Sequence, residues 1–309
     1  MKKILIYRNC SLGDFIVSLP AINLIKSFNP KSKIYLASQI PVKKPHVKPS
    51  HIPLKKKLID KFIYFNYGKI NFVKFLNIIK KNNFEKIYYL NAFESKKKLI
   101  RDYLIFSILG IKNKIGFEFE KYNYQKFNET YYLCKRVKKK LNYNDFLIEN
   151  FLKNTKFFSK KKFITISFGG KNILKKWSSN NWEKLVMSII ENIPNIKIYI
   201  VGSRNEYKLA EKLRIKKSKS IINLCGKTNI KKLVDVIGNS SYHISHDDGT
   251  MHIASTFQKK SVSIFGKSTA EKGRWFPLNP NLKIFFGNKV NNINLKSVKK
   301  KIIKDIKSI

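Results

Sequence analysis

Three short stretches of this 309-residue chain gather the residue types that hydroxyl and phosphate chemistry uses. The first is Ser11-Leu12-Gly13-Asp14. Gly13 allows close backbone approach, and a carboxylate such as Asp14 can accept a proton from an attacking hydroxyl. The same residue can simply cap a helix, and spacing alone favours the cap. The second stretch is Gly169-Gly170 followed by Lys175-Lys176-Trp177. Paired glycines expose backbone N–H groups and a lysine adds charge, which together suit a diphosphate. An ordinary glycine turn beside two of many lysines explains it equally well. The third runs from Ser245 through His246, Asp247, Asp248, Gly249, Thr250, Met251 and His252 to Ala254. If a helix opens there, the N–H groups of Gly249, Thr250 and Met251 are free to meet an anion, with His252 on the same first turn. Two other readings are a metal site of His246, Asp247, Asp248 and His252, and a capped helix with a surface histidine.

The elements that must position these residues alternate between strand and helix. Ile4–Tyr7 is a short buried strand, and apolar residues from Phe15 to Phe28 recur at helical spacing. Further strands are expected at Ile34–Ala37, Ile63–Phe65, Ile87–Leu90 and Lys114–Phe117, and the proline-rich stretch 41–53 reads as a loop. From about Glu120 to Lys162 the pattern weakens into charge runs, which read as a solvated linker. The rhythm then restarts, with strands at Phe163–Phe168, Ile196–Val201, Ile221–Leu224, Tyr242–Ser245 and Val262–Phe265. Helices fall between them, and a Lys-rich amphipathic helix ends the chain. All three stretches therefore sit where a strand gives way to a helix. The expected architecture is α/β, with two Rossmann-like doubly wound domains, 1–156 and 157–309, and a cleft beyond their strand ends.

Composition narrows the partners. There are 64 Lys+Arg against 19 Asp+Glu, a formal net charge of +45. Such a surface attracts nucleic acid, anionic membrane or phosphorylated substrates, although an AT-rich genome would also enrich lysine. Hydrophobic residues at 43% suffice for two cores. Cys10, Cys134 and Cys225 are widely spaced without a CxxC, so neither a zinc site nor a disulfide framework is indicated and a reducing cytoplasm fits. The N-terminal apolar run is too short for a signal peptide and no run of about 18 apolar residues occurs, so membrane contact is expected to be peripheral. GxGxxG is absent, which removes the central signal of a nicotinamide or flavin enzyme. A non-catalytic nucleic-acid binder and another Rossmann-type nucleotide-sugar enzyme remain as alternatives.

In their order, ILIYRNCSLGDFIVSLPAI, KKWSSNNW, GKTNIKKL and DDGTMHIA, with Phe265-Gly266 after the next strand, resemble glycosyltransferase family 9, the ADP-heptose:lipopolysaccharide heptosyltransferases. The resemblance implies a GT-B fold, inversion at the anomeric carbon, and no required metal or cofactor. It implies an ADP-heptose donor, an anionic lipopolysaccharide-core glycolipid acceptor, and a monomer on the cytosolic face of the inner membrane, with no nucleic-acid partner. By the same resemblance Asp14 is the general base, with Arg8 and Gly13 on the acceptor side. Lys175 meets the donor phosphates beside Gly169 and Gly170. Asp247, Asp248, Gly249, Thr250 and His252 hold the donor sugar and diphosphate. Glu206 fixes the ribose or adenine end, and Thr228 lies by the adenine. Three positions depart from the family pattern: Asp248 stands where Ser or Thr is usual, Thr250 replaces a frequent Pro, and Ser178 replaces a Pro after Trp177.

Overall fold

The computed structural model describes residues 1–41, 47–92, 95–119, 122–155, 162–169, 176–216, 220–267 and 272–309. Two compact units divide between Phe151 and Leu152. The boundary expected near Lys156 falls in 156–161, outside the described residues.

The first unit holds a five-stranded parallel sheet in the order β3-β2-β1-β4-β5. The strands are β1 Lys3–Tyr7, β2 Lys33–Gln39, β3 Lys61–Phe65, β4 Lys86–Tyr89 and β5 Asn113–Ile115. β1 is apolar on both faces because helices cover both, the usual condition of a parallel sheet. On one face lies α1, Leu12–Phe28, with Phe15, Ile16, Leu19, Ile22 and Ile25 fully buried. The other face carries α2, Lys69–Asn82, and α3, Lys96–Ile108, over an aromatic core. There Phe65 stacks on Phe75 at 4.1 Å and Tyr7 meets Phe106 edge-on at 5.1 Å.

The charge-rich stretch after residue 120 is not simply a linker. Glu129–Val137 forms a helix, α4, whose N-cap Asn128 accepts from the Tyr131 N–H. Tyr132, Leu133 and Cys134 are buried, and α4 packs on α1. Nine residues give too few turns for a visible period, and the lysines around it mask its apolar side. Glu129 at its start is buried opposite Arg8, with Nη1 to Oε1 at 3.7 Å. Arg8 also donates to the Leu90 carbonyl at 2.6 Å. The guanidinium expected on the acceptor side is thus an interior tie between β1, β4 and α4.

The second unit holds a six-stranded parallel sheet in the order β11-β10-β9-β6-β7-β8. Its strands are β6 Phe163–Ser167, β7 Lys197–Val201, β8 Ile221–Asn223, β9 Tyr242–His246, β10 Ser261–Gly266 and β11 Leu282–Gly287. Its helices are α5 Ser179–Asn192, α6 Tyr207–Lys216, α7 Ile230–Asn239, α8 Gly249–Thr256 and α9 Leu295–Lys307. β11 was not evident in the sequence, since an edge strand that is half-buried along most of its length alternates weakly. The terminal helix is amphipathic as expected. Val298, Ile302 and Ile306 bury its inner side, and Asp305 accepts from the Tyr242 hydroxyl at 2.8 Å. All three cysteines are free and buried, and burial pushes the Cys10 and Cys225 thiols up to about 12.

Glu129→Ala leaves the Arg8 charge buried without its carboxylate. It should destabilise the protein by about 3–5 kcal/mol in urea unfolding. Lys2→Ala, which removes the exposed Lys2–Glu85 pair, should cost under about 1 kcal/mol. Equal small losses would mean that Arg8 and Glu129 do not depend on one another.

Candidate functional site

In each unit the sheet reverses its winding beside the first strand. β1 has β2 on one side and β4 on the other, and β6 has β7 and β9. Strand ends diverge at such a reversal, and ligands of doubly wound sheets bind there. Arg8, Gly13 and Asp14 stand at the first of these places, and Gly169, Asp247 and Asp248 at the second.

At the first, backbone and side chains lock the β1 end to its neighbours. The Asn9 N–H donates to the Asn91 side chain at 2.5 Å, and the Gln39 N–H donates to the Asn9 side chain at 3.0 Å. Gly13 is buried in the first turn of α1, and Asp14 follows it, half-buried. One carboxylate oxygen, Oδ2, accepts from the Ser11 N–H at 3.0 Å and the Ser11 hydroxyl at 2.6 Å. Asp14 is therefore the third residue of a capping box. The bonds from Ser11 to Oδ2 fix the orientation of the carboxylate at the end of β1.

At the second reversal, β6 and β9 meet through side chains. The Ser167 hydroxyl donates to Asp248 Oδ2 at 2.8 Å and accepts from the Gly169 N–H at 3.3 Å. Oδ1 of Asp248 accepts from the Thr250 N–H at 2.7 Å, the Thr250 hydroxyl at 2.6 Å and the Met251 N–H at 3.3 Å. The expectation of open N–H groups at Thr250 and Met251 is corrected by this cap. The protein's own carboxylate already occupies the positive end of α8. Gly169 fits closely here, since a Cβ would lie 3.2 Å from Asp248 Oδ2 and 3.3 Å from the Ser167 oxygen and would press on the hydrogen bond between them.

Behind Asp248 a polar chain runs into the core. Thr250 Oγ1 lies 3.0 Å from His243 Nε2, and His243 Nδ1 lies 2.9 Å from Thr165 Oγ1. With Asp248 ionised, Thr250 gives its proton to the carboxylate, so His243 donates through Nε2 and accepts at Nδ1. Sequence reasoning missed Ser167, Thr165 and His243. Their signal was polar residues at every second position of two buried strands, FITIS and YHISH.

His246 is not a metal ligand. Its Nε2 accepts from the Trp177 N–H at 2.9 Å, so Nδ1 carries the proton and donates to the Phe168 and Gly169 carbonyls at 3.2 and 3.1 Å. One imidazole thereby ties both ends of the loop between β6 and α5 to β9. Trp182 packs edge-on against it at 5.0 Å, and Trp177 meets Trp182 at 5.5 Å. The two tryptophans of KKWSSNNW are core residues that seat this tie. Gly170 and Lys175 lie within 170–175, outside the described residues. Lys176 is half-buried at the end of the loop. With His246 and Asp248 engaged by the protein, the four-residue metal reading loses two members. No cluster of three metal-binding side chains occurs among the described residues.

Asp247 is half-buried at the end of β9. His252 is buried on the first turn of α8, not a surface histidine. Along the same edge, Glu206 sits after β7, where its carboxylate accepts from the Ser203 hydroxyl at 2.5 Å. Gly202 leaves room for it, with Oε2 3.2 Å from a notional Cβ. Thr228 is half-buried between β8 and α7, and the Gly226 N–H donates to the Gly202 carbonyl at 3.0 Å. Residues from four adjacent strand ends, β9, β6, β7 and β8, thus line one edge of the second sheet.

Two Rossmann-like units with this winding define the GT-B class of glycosyltransferase folds. The E. coli structure titled ADP-heptose lps heptosyltransferase II superposes with a TM-score of 0.70 at 14% identity, covering 100% of this chain and 99% of that one. Residues 106–303 match the model of glycosyltransferase family 9 (heptosyltransferase), and the chain belongs to that family. Lipopolysaccharide heptosyltransferase 1 of Campylobacter coli is 24% identical over 94% of this chain and 91% of its own length. Lipooligosaccharide heptosyltransferase 2 of Haemophilus influenzae is 26% identical over 101 residues, which is 31% of this chain and only 29% of that protein.

The buried groups set a pH dependence. Burial holds His243 down to about 3 and His246 to about 4, against 6.5 for an open imidazole. Their stabilisation is complete above about 6.5 and is lost as pH falls, because the unfolded chain binds protons first. Asp248 opposes this. Burial raises its carboxyl to about 6, so the folded state takes up its proton first and gains stability as pH falls below that value. Urea unfolding should show a net loss of roughly 2–3 kcal/mol between pH 7 and pH 5. Asp248→Asn should lose roughly 1 kcal/mol more over that interval. The same loss in both proteins would remove Asp248 from the titration.

Proposed function

We propose that this protein is an inverting heptosyltransferase that moves heptose from ADP-heptose to a lipopolysaccharide-core glycolipid at the cytosolic face of the inner membrane. The observation that carries the reading is that each unit, taken by itself, holds an oriented carboxylate at its winding reversal: Asp14 after β1 in the first, and Asp248 with Ser167 and Gly169 after β6 in the second. The first supports a base, the second a donor site. The similar E. coli protein is an ADP-heptose lps heptosyltransferase II, and this supports the choice of donor. Among the described residues no helix is long and apolar enough to cross a membrane, which is consistent with peripheral attachment.

In the reaction, the acceptor hydroxyl oxygen bonds to the anomeric carbon from the face opposite the leaving group. The bond from that carbon to the diphosphate breaks, and the configuration inverts. Asp14 takes the hydroxyl proton as nucleophilicity builds on the oxygen. The bonds from Ser11 to Oδ2 fix the orientation in which the carboxylate accepts that proton. ADP leaves with the bonding electrons. Lys175 and the backbone of the loop at Gly169 and Gly170 take up the charge that grows on it.

Asp248 shapes how the donor is read. Its carboxylate caps α8 and disfavours a second anion at that helix end. The diphosphate therefore falls to the loop that His246 closes, and Asp247 and Asp248 face the sugar hydroxyls, with Thr250 holding Asp248 from behind. Gly249 lets the chain pass close to that sugar, and His252 supports the first turn of α8. Glu206 and Thr228, on the strand ends beyond, take the ribose and adenine.

Asp14→Asn should retain its fold and nucleotide affinity while lowering sugar transfer roughly a hundredfold or more, the scale of a lost general base. Radiolabelled transfer from ADP-heptose to a truncated lipopolysaccharide acceptor measures it. Near-normal turnover in a folded variant would leave Asp14 with capping alone.

A further inference from the structure

Charge does not distinguish the two units. Residues 1–151 carry 31 Lys+Arg against 10 Asp+Glu, and residues 152–309 carry 33 against 9. Exposed apolar side chains do distinguish them. Among the described residues, every exposed large apolar side chain lies in the first unit, and most of them stand on α2 and α3. A compositional bias would have spread them over both.

The two helices lie on one face of the first sheet, where α2 crosses from β3 to β4 and α3 from β4 to β5. The inner side of α3 buries Leu99, Asp102 and Phe106. Its outer side shows Ile100, Tyr103, Leu104 and Ile108, spaced to form one stripe, with Ile108 83% exposed. α2 repeats this with Phe75 and Ile79 inside and Ile70, Val73 and Ile78 outside. A single exposed apolar residue needs no explanation, but a contiguous group marks an interaction surface.

Charge on the same helices selects the partner. Their sequences, KINFVKFLNIIKKN and KKKLIRDYLIFSI, contain eight basic residues and one acid, Asp102. That acid is buried and held by Arg101 at 2.6 Å and the Tyr89 hydroxyl at 3.0 Å. The outer face of the two helices is therefore apolar and cationic, and among their described residues no carboxylate is exposed; an exposed acid, Glu118, follows later in the sequence beside Phe119. Lysines reach over the aromatic rings at its margins, Lys114 over Tyr103 at 4.8 Å and Lys96 over Phe119 at 5.1 Å. A second copy of the chain would bring like charges together, whereas an anionic bilayer answers both features. It offers phosphates to the lysines and acyl chains to the apolar stripe.

We infer that the outer face of α2 and α3 docks on anionic lipid bilayers, with Ile100, Leu104 and Ile108 entering the headgroup boundary. This deepens the glycolipid-acceptor reading by naming the surface that would meet the lipid. The two fail separately, because vesicle binding needs no donor and no transfer.

The test is co-sedimentation of the full chain with vesicles of phosphatidylcholine, alone or mixed with phosphatidylglycerol, at low and high salt. At low salt the wild-type chain should bind the mixed vesicles far more than the neutral ones. Part of that binding should survive high salt, because apolar contact is not screened. Replacing Ile100, Leu104 and Ile108 together by Ser should lower partitioning roughly tenfold or more at both salt levels. These are exposed positions, so the fold should persist, and circular dichroism checks it. In a second variant, Ile108→Trp, the introduced indole should shift its emission to the blue on binding and be quenched by brominated lipid. Unchanged binding by the triple variant, equal binding to neutral vesicles, or an indole that brominated lipid leaves unquenched would overturn the inference. So would a wild-type dimer that the triple variant converts to monomer, since the face would then belong to a second copy.

Discussion

A 2.8 Å hydrogen bond from the Ser167 hydroxyl to the Asp248 carboxylate bridges β6 and β9 where the second sheet reverses its winding. Parallel strands diverge at such a point, and without a tether their ends would leave the following loops unanchored. The tether has consequences in three directions. Toward α8, the other carboxylate oxygen receives the amides of Thr250 and Met251 and so sets where that helix starts. Toward the loop after β6, it leaves little room beside residue 169, where a Cβ would lie 3.2 Å from the Asp248 carboxylate. Toward the core, Thr250 passes the hydrogen bonding on to His243 and Thr165. His246, one strand-face away, completes the frame by fastening both ends of that loop.

The first unit solves the same geometric problem differently. Arg8 reaches across to the Leu90 carbonyl and the buried Glu129, and Asn9 and Asn91 join the ends of β1 and β4. Polar cross-ties stand at both reversals, with a carboxylate on the adjoining helix: Asp14 at the third position of α1 and Asp248 at the cap of α8. Each is held by short bonds in a half-buried setting. Rigid placement of that kind is what a proton acceptor or a sugar-binding carboxylate needs.

Much of this was legible in the sequence. The winding of both sheets followed from apolar runs alternating with helical spacing, and Leu-Gly-Asp and Asp-Asp-Gly-Thr-Met-His fell at strand ends as expected. Two kinds of information were hidden. Short or weakly patterned elements, α4 and the edge strand β11, carry too little periodicity to stand out from flanking charge. Hydrogen-bond assignment was the other. The string offers a capped helix as one of several readings but does not choose Asp248 for the cap, and it does not show that His246 gives both nitrogens to backbone. Those outcomes depend on which strands become neighbours, and β6 and β9 are some 80 positions apart in the chain.

If the edge formed by β9, β6, β7 and β8 is a donor site, it must recognise a nucleoside diphosphate before any acceptor is present. Calorimetric titration of the wild-type chain with ADP and with adenosine tests this most directly, with UDP and GDP as comparisons. ADP should bind in preference to UDP and GDP. It should also bind roughly tenfold or more tighter than adenosine, the scale of a charge-assisted phosphate contact. Absence of heat with every nucleoside diphosphate, in a protein that still binds RNA in a salt-sensitive manner, would contradict the account.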